Sequence, residues 1–129
     1  MMTSFSISAY TMEEALPQVE ATQHLYLIGN ATPAGWNTGS APELALTDGK
    51  ATWNGKLIGK DGSDTPRFKF LIDGKSWDIS LTSNCDTENV SHTTVTSGEE
   101  TQLYVRPDTN FGKDNAFQVE KTGIYTISV

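Results

Sequence analysis

Arg67-Phe68-Lys69-Phe70-Leu71-Ile72-Asp73-Gly74-Lys75-Ser76-Trp77 reads as a strand that runs into a tight turn. Successive side chains of a strand point to opposite sides, so Phe68 and Phe70 share one face while Arg67, Lys69 and Leu71 share the other. Asp73-Gly74 is a favoured pair for a two-residue hairpin turn, and Trp77 to Leu81 reads as the strand that follows. The rest of the chain repeats this grammar of short strands between turn residues. It predicts an all-β fold, a β-sandwich of two antiparallel sheets.

Upstream, Ser4 to Ala9 alternates at Phe5, Ile7 and Ala9, and Met12 to Leu16 has the length of one helical turn, ended by Pro17. His24 to Gly29 is a compact apolar strand with Leu25 and Leu27 on one face and Tyr26 and Ile28 on the other. Apolar residues on both faces predict a central position. Asn30 to Pro42 contains Pro33, Gly35, Gly39 and Pro42 and is expected to be irregular. Glu43 to Thr47 and Ala51 to Ile58 form an expected hairpin around Asp48-Gly49. Downstream, Gly59 to Thr65 is a polar loop, Thr93 to Thr96 a short strand, Gln102 to Val105 another, and Arg106 to Asn115 a loop. Phe117 to Val119 and Gly123 to Val129 read as a closing hairpin. No helical period of useful length and no internal repeat is present.

Composition narrows the function. The chain has 129 residues, the size of one domain. Its acids outnumber its basic residues 16 to 9, giving a net charge of -7. That balance argues against a nucleic-acid backbone and against an anionic membrane surface, and it accommodates a neutral or cationic partner. Cys85 is alone, so no internal disulfide or multi-thiolate metal site is available, and no base stands beside it. His24 and His92 lack metal-ligand spacing, and Asp61, Asp64 and Asp73 do not follow the twelve-residue calcium loop. No Ser/His/Asp arrangement is readable. A non-catalytic domain without metal or cofactor is expected. Met1 to Ser6 lacks the basic and apolar parts of a signal peptide, no run approaches membrane-spanning length, and the chain ends at Ile127-Ser128-Val129 within a strand pattern. The chain is either a cytoplasmic protein or a domain excised from a longer secreted one, and the strand pattern at its end makes excision the expectation.

The three tryptophans are the strongest functional signal. Trp53 shares strand parity with Ala51, Gly55 and Leu57 and is expected in the core. Trp36 sits in Pro33-Ala34-Gly35-Trp36-Asn37-Thr38-Gly39, with no alternation to bury it. It is either a plug over the sandwich edge or an exposed platform. Trp77 has core-type parity with Ile79 and Leu81, yet it opens a strand after a polar turn, where twist makes parity a weak guide. Exposed indoles suit sugars because the C–H face of a pyranose stacks flat on them and leaves its hydroxyls for polar side chains at the rim. Lys69, opposite Phe68 and Phe70, is either such a side chain or a group that solvates the outer sheet face.

Leu25-Tyr26-Leu27-Ile28-Gly29-Asn30-Ala31-Thr32-Pro33-Ala34-Gly35-Trp36-Asn37 resembles the opening strand and loop of domains in the SusE/SusF family of starch-binding lipoproteins, found on the outer surface of glycan-degrading Gram-negative bacteria. Arg67-Phe68-Lys69-Phe70-Leu71 is similar to that family's Phe-Lys-Phe strand, with Trp77 where a second tryptophan follows it. Asn115-Ala116-Phe117-Gln118-Val119 and Gly123-Ile124-Tyr125-Thr126-Ile127 are similar to its closing segments. The resemblance runs from about Leu25 to the C-terminus. It implies an Ig-like, carbohydrate-binding-module sandwich over residues 23–129, with residues 1–22 as a linker or the tail of a preceding domain. It implies binding of starch-type α-glucans, or another neutral polysaccharide, on a platform of Trp36 and Trp77. Lys69 would hydrogen-bond sugar hydroxyls, with Asn115 and Arg106 as further candidates. The parent protein would be lipid-anchored at the cell outer membrane beside glycan-uptake proteins, although this chain lacks the lipoprotein signal and its cysteine. A spacer domain of the same shape that binds nothing is the competing expectation.

Overall fold

The computed structural model describes residues 4–11, 24–47, 50–72, 75, 77, 80–83, 92–98, 100–106 and 115–129. They contain no α-helix and ten strands: β1 (Ser4–Thr11), β2 (Tyr26–Ile28), β3 (Ala45–Thr47), β4 (Lys50–Leu57), β5 (Lys69–Leu71), β6 (Ser80–Thr82), β7 (Thr93–Thr94), β8 (Glu100–Arg106), β9 (Phe117–Gln118) and β10 (Gly123–Ser128). The protein is all-β, as expected, and its layout is consistent with a β-sandwich. No helix among the described residues is long and apolar enough to cross a membrane. Met12 to Leu16, the Asp48-Gly49 and Asp73-Gly74 turns, and Cys85 lie outside the described residues.

Hydrogen bonding links eight strands in the order β2-β5-β6-β8-β1-β10-β4-β3, while β7 and β9 form a separate parallel pair. The β2/β5, β5/β6, β6/β8, β10/β4 and β3/β4 pairs are antiparallel. Residues 4–11, whose sequence alternates at Phe5, Ile7 and Ala9, form the strand that joins the two halves, with Ser4 to Ser8 parallel to β10 and Ser8 to Thr11 parallel to β8. Their backbone groups and those of the flanking strands satisfy one another, which buried N–H and C=O groups require.

One core cluster draws Leu27, Phe70 and Leu81 from β2, β5 and β6, and Leu57, Tyr125 and Ile127 from β4 and β10. Phe68, Phe70 and Phe117 meet at its centre. Phe68 stacks on Phe117 at 5.6 Å between centroids and meets Phe70 edge-on at 6.2 Å. The parity reading of β5 holds: both phenylalanines are buried here, while Leu71 joins Ile28, Ala41 and Tyr26 in a smaller cluster on the opposite sheet face. Trp53 packs against the main core and is part-buried, its ring lying over Gly55.

Two expectations change. β2 ends the strand order rather than lying at its centre. Its outer edge is covered by the 42–44 segment, where the Leu27 N–H donates to the Pro42 carbonyl (2.9 Å) and the Leu44 N–H to the Leu25 carbonyl (2.8 Å). That cover, with the small cluster, explains why both faces of the strand are apolar. The closing hairpin does not form: β9 pairs with β7 and bridges to Phe68, and β10 pairs with β4 and β1. Phe117 and Val119 enter the core by one route and Tyr125 and Ile127 by another, so the chain arches between partners.

That arch is pinned by the 59–62 loop. The Thr122 N–H and hydroxyl both donate to Asp61 Oδ1 at 2.8 Å, the Gly59 N–H donates to Thr122 Oγ1, and the Tyr125 hydroxyl donates to the Lys121 carbonyl. The backbone donation from Thr122, then its hydroxyl, holds the Asp61 carboxyl below its ordinary value near 3.8. A depressed folded pKa favours the ionised form, so this stabilisation is complete above the unfolded pKa and disappears as pH falls through the folded one. Asp61→Asn is expected to be less stable than the parent near neutral pH, with the gap closing as pH falls below the ordinary carboxylate value of 3.8 and through the lower folded one, measured by urea unfolding across pH.

A second prediction concerns Gly29. Its φ is +144°, and an added Cβ would lie 2.0 Å from the Arg67 carbonyl oxygen and 2.6 Å from Phe68 Cα. Gly29→Ala combines a backbone clash with a conformation that L side chains avoid. It is expected to cost about 3 kcal/mol or more in urea unfolding.

Candidate functional site

Trp36 reaches the surface from a loop that is regular in its hydrogen bonding though not in its secondary structure. The Gly29 N–H donates to the Gly35 carbonyl (2.9 Å), the Thr32 N–H and hydroxyl to the Gly29 carbonyl (3.0 and 2.8 Å), and the Gly35 N–H to the Thr32 carbonyl (3.2 Å). Gly35 turns the chain at φ +64°, where glycine carries no Cβ penalty. Asn37 then starts a single 3-10 turn, its side chain accepting from the Gly39 N–H. Three bonds tie this loop to the strand segments beneath it. Asn30 accepts from the Arg67 N–H at 2.7 Å, the Ala31 N–H donates to the Arg67 carbonyl at 3.0 Å, and the Ile58 N–H donates to the Ala31 carbonyl at 2.9 Å.

On the other side, just past β5, the Lys75 N–H donates to the Ile72 carbonyl (3.0 Å), and Trp77 lies two residues further on. The two indoles meet. Their ring centroids are 6.0 Å apart and their planes tilt by 48°. Trp36 is 37% exposed and Trp77 39%, and among the described residues these are the large hydrophobic side chains left at the surface. Each ring has a cation over it: Arg67 Cζ is 5.4 Å from the Trp36 centroid, and Lys69 Nζ is 5.3 Å from the Trp77 centroid. Each such contact contributes about 0.5–1 kcal/mol in water and about 2 when desolvated. Arg67, Trp36, Trp77 and Lys69 thus form one surface over the face of β5 that points away from the main core.

No family model, curated protein or solved structure matches the chain. The site is therefore argued from its own residues.

The structure brings Trp36, Trp77 and Lys69 together. Lys69 is only 3% exposed, so it lies under Trp77 rather than beside it at the rim. Arg106 is 8% exposed and sits on β8 opposite Ser80, which in turn faces Leu71. It shares the outer sheet face with Lys69, but two strands from β5 places it about 10 Å away, and it is buried. Asn115 is 1% exposed in the segment leading into β9. Neither of these two offers a surface that a polymer can reach.

Arg67 joins the site although strand parity alone does not single it out. It is half-buried, its guanidinium is stacked on Trp36, and its Nε is buried with no hydrogen-bond partner. The signal was available, since Arg67 shares strand parity with Lys69, but its distance from Trp36 depends on the 29–36 loop folding back over β5.

The packing sets a stability contrast. Phe70→Ala removes a fully buried ring and is expected to cost about 3–5 kcal/mol in urea unfolding. Trp77→Ala removes an exposed ring with one aromatic and one cationic contact, and is expected to cost about 1–2 kcal/mol. A Trp77 cost matching that of Phe70 would mark the indole as a core element.

Proposed function

We propose that this domain binds glycans without acting on them, as a module of a multidomain cell-surface glycan-capture protein. The observation that carries the reading is the exposed, abutting pair Trp36 and Trp77, tilted by 48°. Each indole can take the C–H face of one pyranose. Stacking a base on an aromatic ring contributes about 1–3 kcal/mol, and a similar or smaller figure applies to a sugar. Two planes at this tilt suit a chain that curves between successive residues, whereas a flat ribbon engages one ring at a time. The curvature favours starch-type α-glucans, the ligand class implied by the resemblance to SusE/SusF domains. On that resemblance the parent is anchored by lipid at the extracellular face of the outer membrane, near glycan-uptake proteins. The domain itself neither inserts into the membrane nor binds nucleic acid, and it works without cofactor or metal.

A second reading has an observation in its favour. Each indole already packs on the other and on a cation, which is what a spacer domain needs to cover the outer face of β5. Affinity electrophoresis separates the two. The parent is expected to be retarded in gels containing amylopectin, and Trp36→Ala and Trp77→Ala each to weaken binding by about tenfold. A parent that migrates freely in amylopectin and in other polysaccharides leaves the spacer reading standing. Retardation that survives both substitutions moves the site elsewhere.

A further inference from the structure

Resting on the glycan-binding reading, we propose that the site prefers a sugar bearing an anionic substituent, a carboxylate, sulfate or phosphate ester, over the same sugar without one. The chain holds nine basic residues against sixteen acids. Three of the nine fall between residues 67 and 75, and all three lie over aromatic rings. Arg67 covers Trp36, Lys69 covers Trp77, and Lys75 Nζ stands 5.3 Å from the Tyr26 centroid. Tyr26 is opposite Leu71 in the β2/β5 register, two residues from Lys69 on the same strand face. The three cations therefore gather on one side of one sheet.

Arg67 and Lys75 have no ion-pair partner among the described residues, where the ion pairs are His24 with Glu43 and Lys60 with Glu120. The orphaned Nε of Arg67 adds to its unmet hydrogen-bonding capacity. A neutral pyranose needs hydrogen-bond donors at its rim, which amides and hydroxyls supply at a smaller desolvation cost than the half-buried cations Arg67 and Lys75, with Lys69 enclosed beneath Trp77. A guanidinium fork beside an indole matches the paired oxygens of a carboxylate or phosphate, and charge assistance makes such bonds about twice as strong as neutral ones. The net charge of -7 opposes an anionic polymer only at long range. Screening at physiological salt cuts that field off within about 8 Å. The cations lie 5.3–5.4 Å from the ring centroids, so the local sign governs contact.

The test titrates the protein by tryptophan fluorescence with unmodified amylopectin, phosphorylated amylopectin and polygalacturonate, in about 0.02 M and about 0.5 M NaCl. At low salt an anionic polymer is expected to bind about three- to tenfold more tightly than unmodified amylopectin, and the advantage shrinks at high salt. Arg67→Gln narrows the ratio between polymers and Arg67→Lys preserves most of it. An advantage on phosphorylated amylopectin alone places the charge on an α-glucan, and one on polygalacturonate alone places it on a different backbone. Either outcome supports the proposal when the advantage shrinks at high salt, and an advantage that persists at high salt overturns it as a preference for the backbone rather than for the charge. Unmodified amylopectin bound as tightly as both anionic polymers overturns it and leaves glycan binding intact. A ratio unchanged in both Arg67→Gln and Lys75→Gln also overturns it. A folded protein that responds to none of the three polymers overturns the glycan reading and this inference together.

Discussion

Gly29 approaches the backbone of Arg67 and Phe68 so closely that no side chain fits between them. That contact seats the loop after β2 on the entry to β5, and the two sides of the molecule diverge from it. Phe68 turns inward and stacks on Phe117 in the main core. Arg67 turns outward under Trp36. One residue step along one strand thus belongs to stability on one face and to the site on the other, and the loop carrying Trp36 inherits its position from the core.

The placement of Lys69 has an electrostatic consequence. A lysine that is nearly enclosed on a sheet face needs neighbours that replace the water its ammonium loses. The electron-rich face of Trp77 is one such neighbour. The indole is therefore both a cover for the cation and a surface for solvent, and its two faces have different electrostatic character. Arg67 repeats the arrangement under Trp36 with a more accessible group. This doubling ties the orientation of both rings to two cations, one on β5 and one two residues before it.

The closing part of the chain shows how a local pattern and a long-range arrangement differ. Alternation over β10 matches its burial, with Tyr125 and Ile127 buried and Ile124 and Thr126 half-exposed. Alternation says which face is inside. It does not say which strand lies alongside, so β9 and β10, adjacent in sequence, have different partners. The arch between them depends on Asp61 and Thr122, sixty-one residues apart, whose pairing has no local signature.

Sequence by itself determined the all-β class, the faces of β5 and β10, the split of Leu25 and Leu27 from Tyr26 and Ile28, and the place of Trp36 on an irregular loop, while its exposure was decided by the tertiary structure. These follow from the two-residue period of a strand and from glycine and proline placement, which act within a few residues. Only the tertiary structure decided that Trp36 and Trp77 touch, that Lys69 lies beneath an indole, that Arg106 and Asn115 are enclosed, and that residues 4–11 join the two halves of the sheet. Each depends on which segments come to lie side by side, and backbone pairing between distant strands is set by the fit of the assembled core rather than by neighbours in the chain.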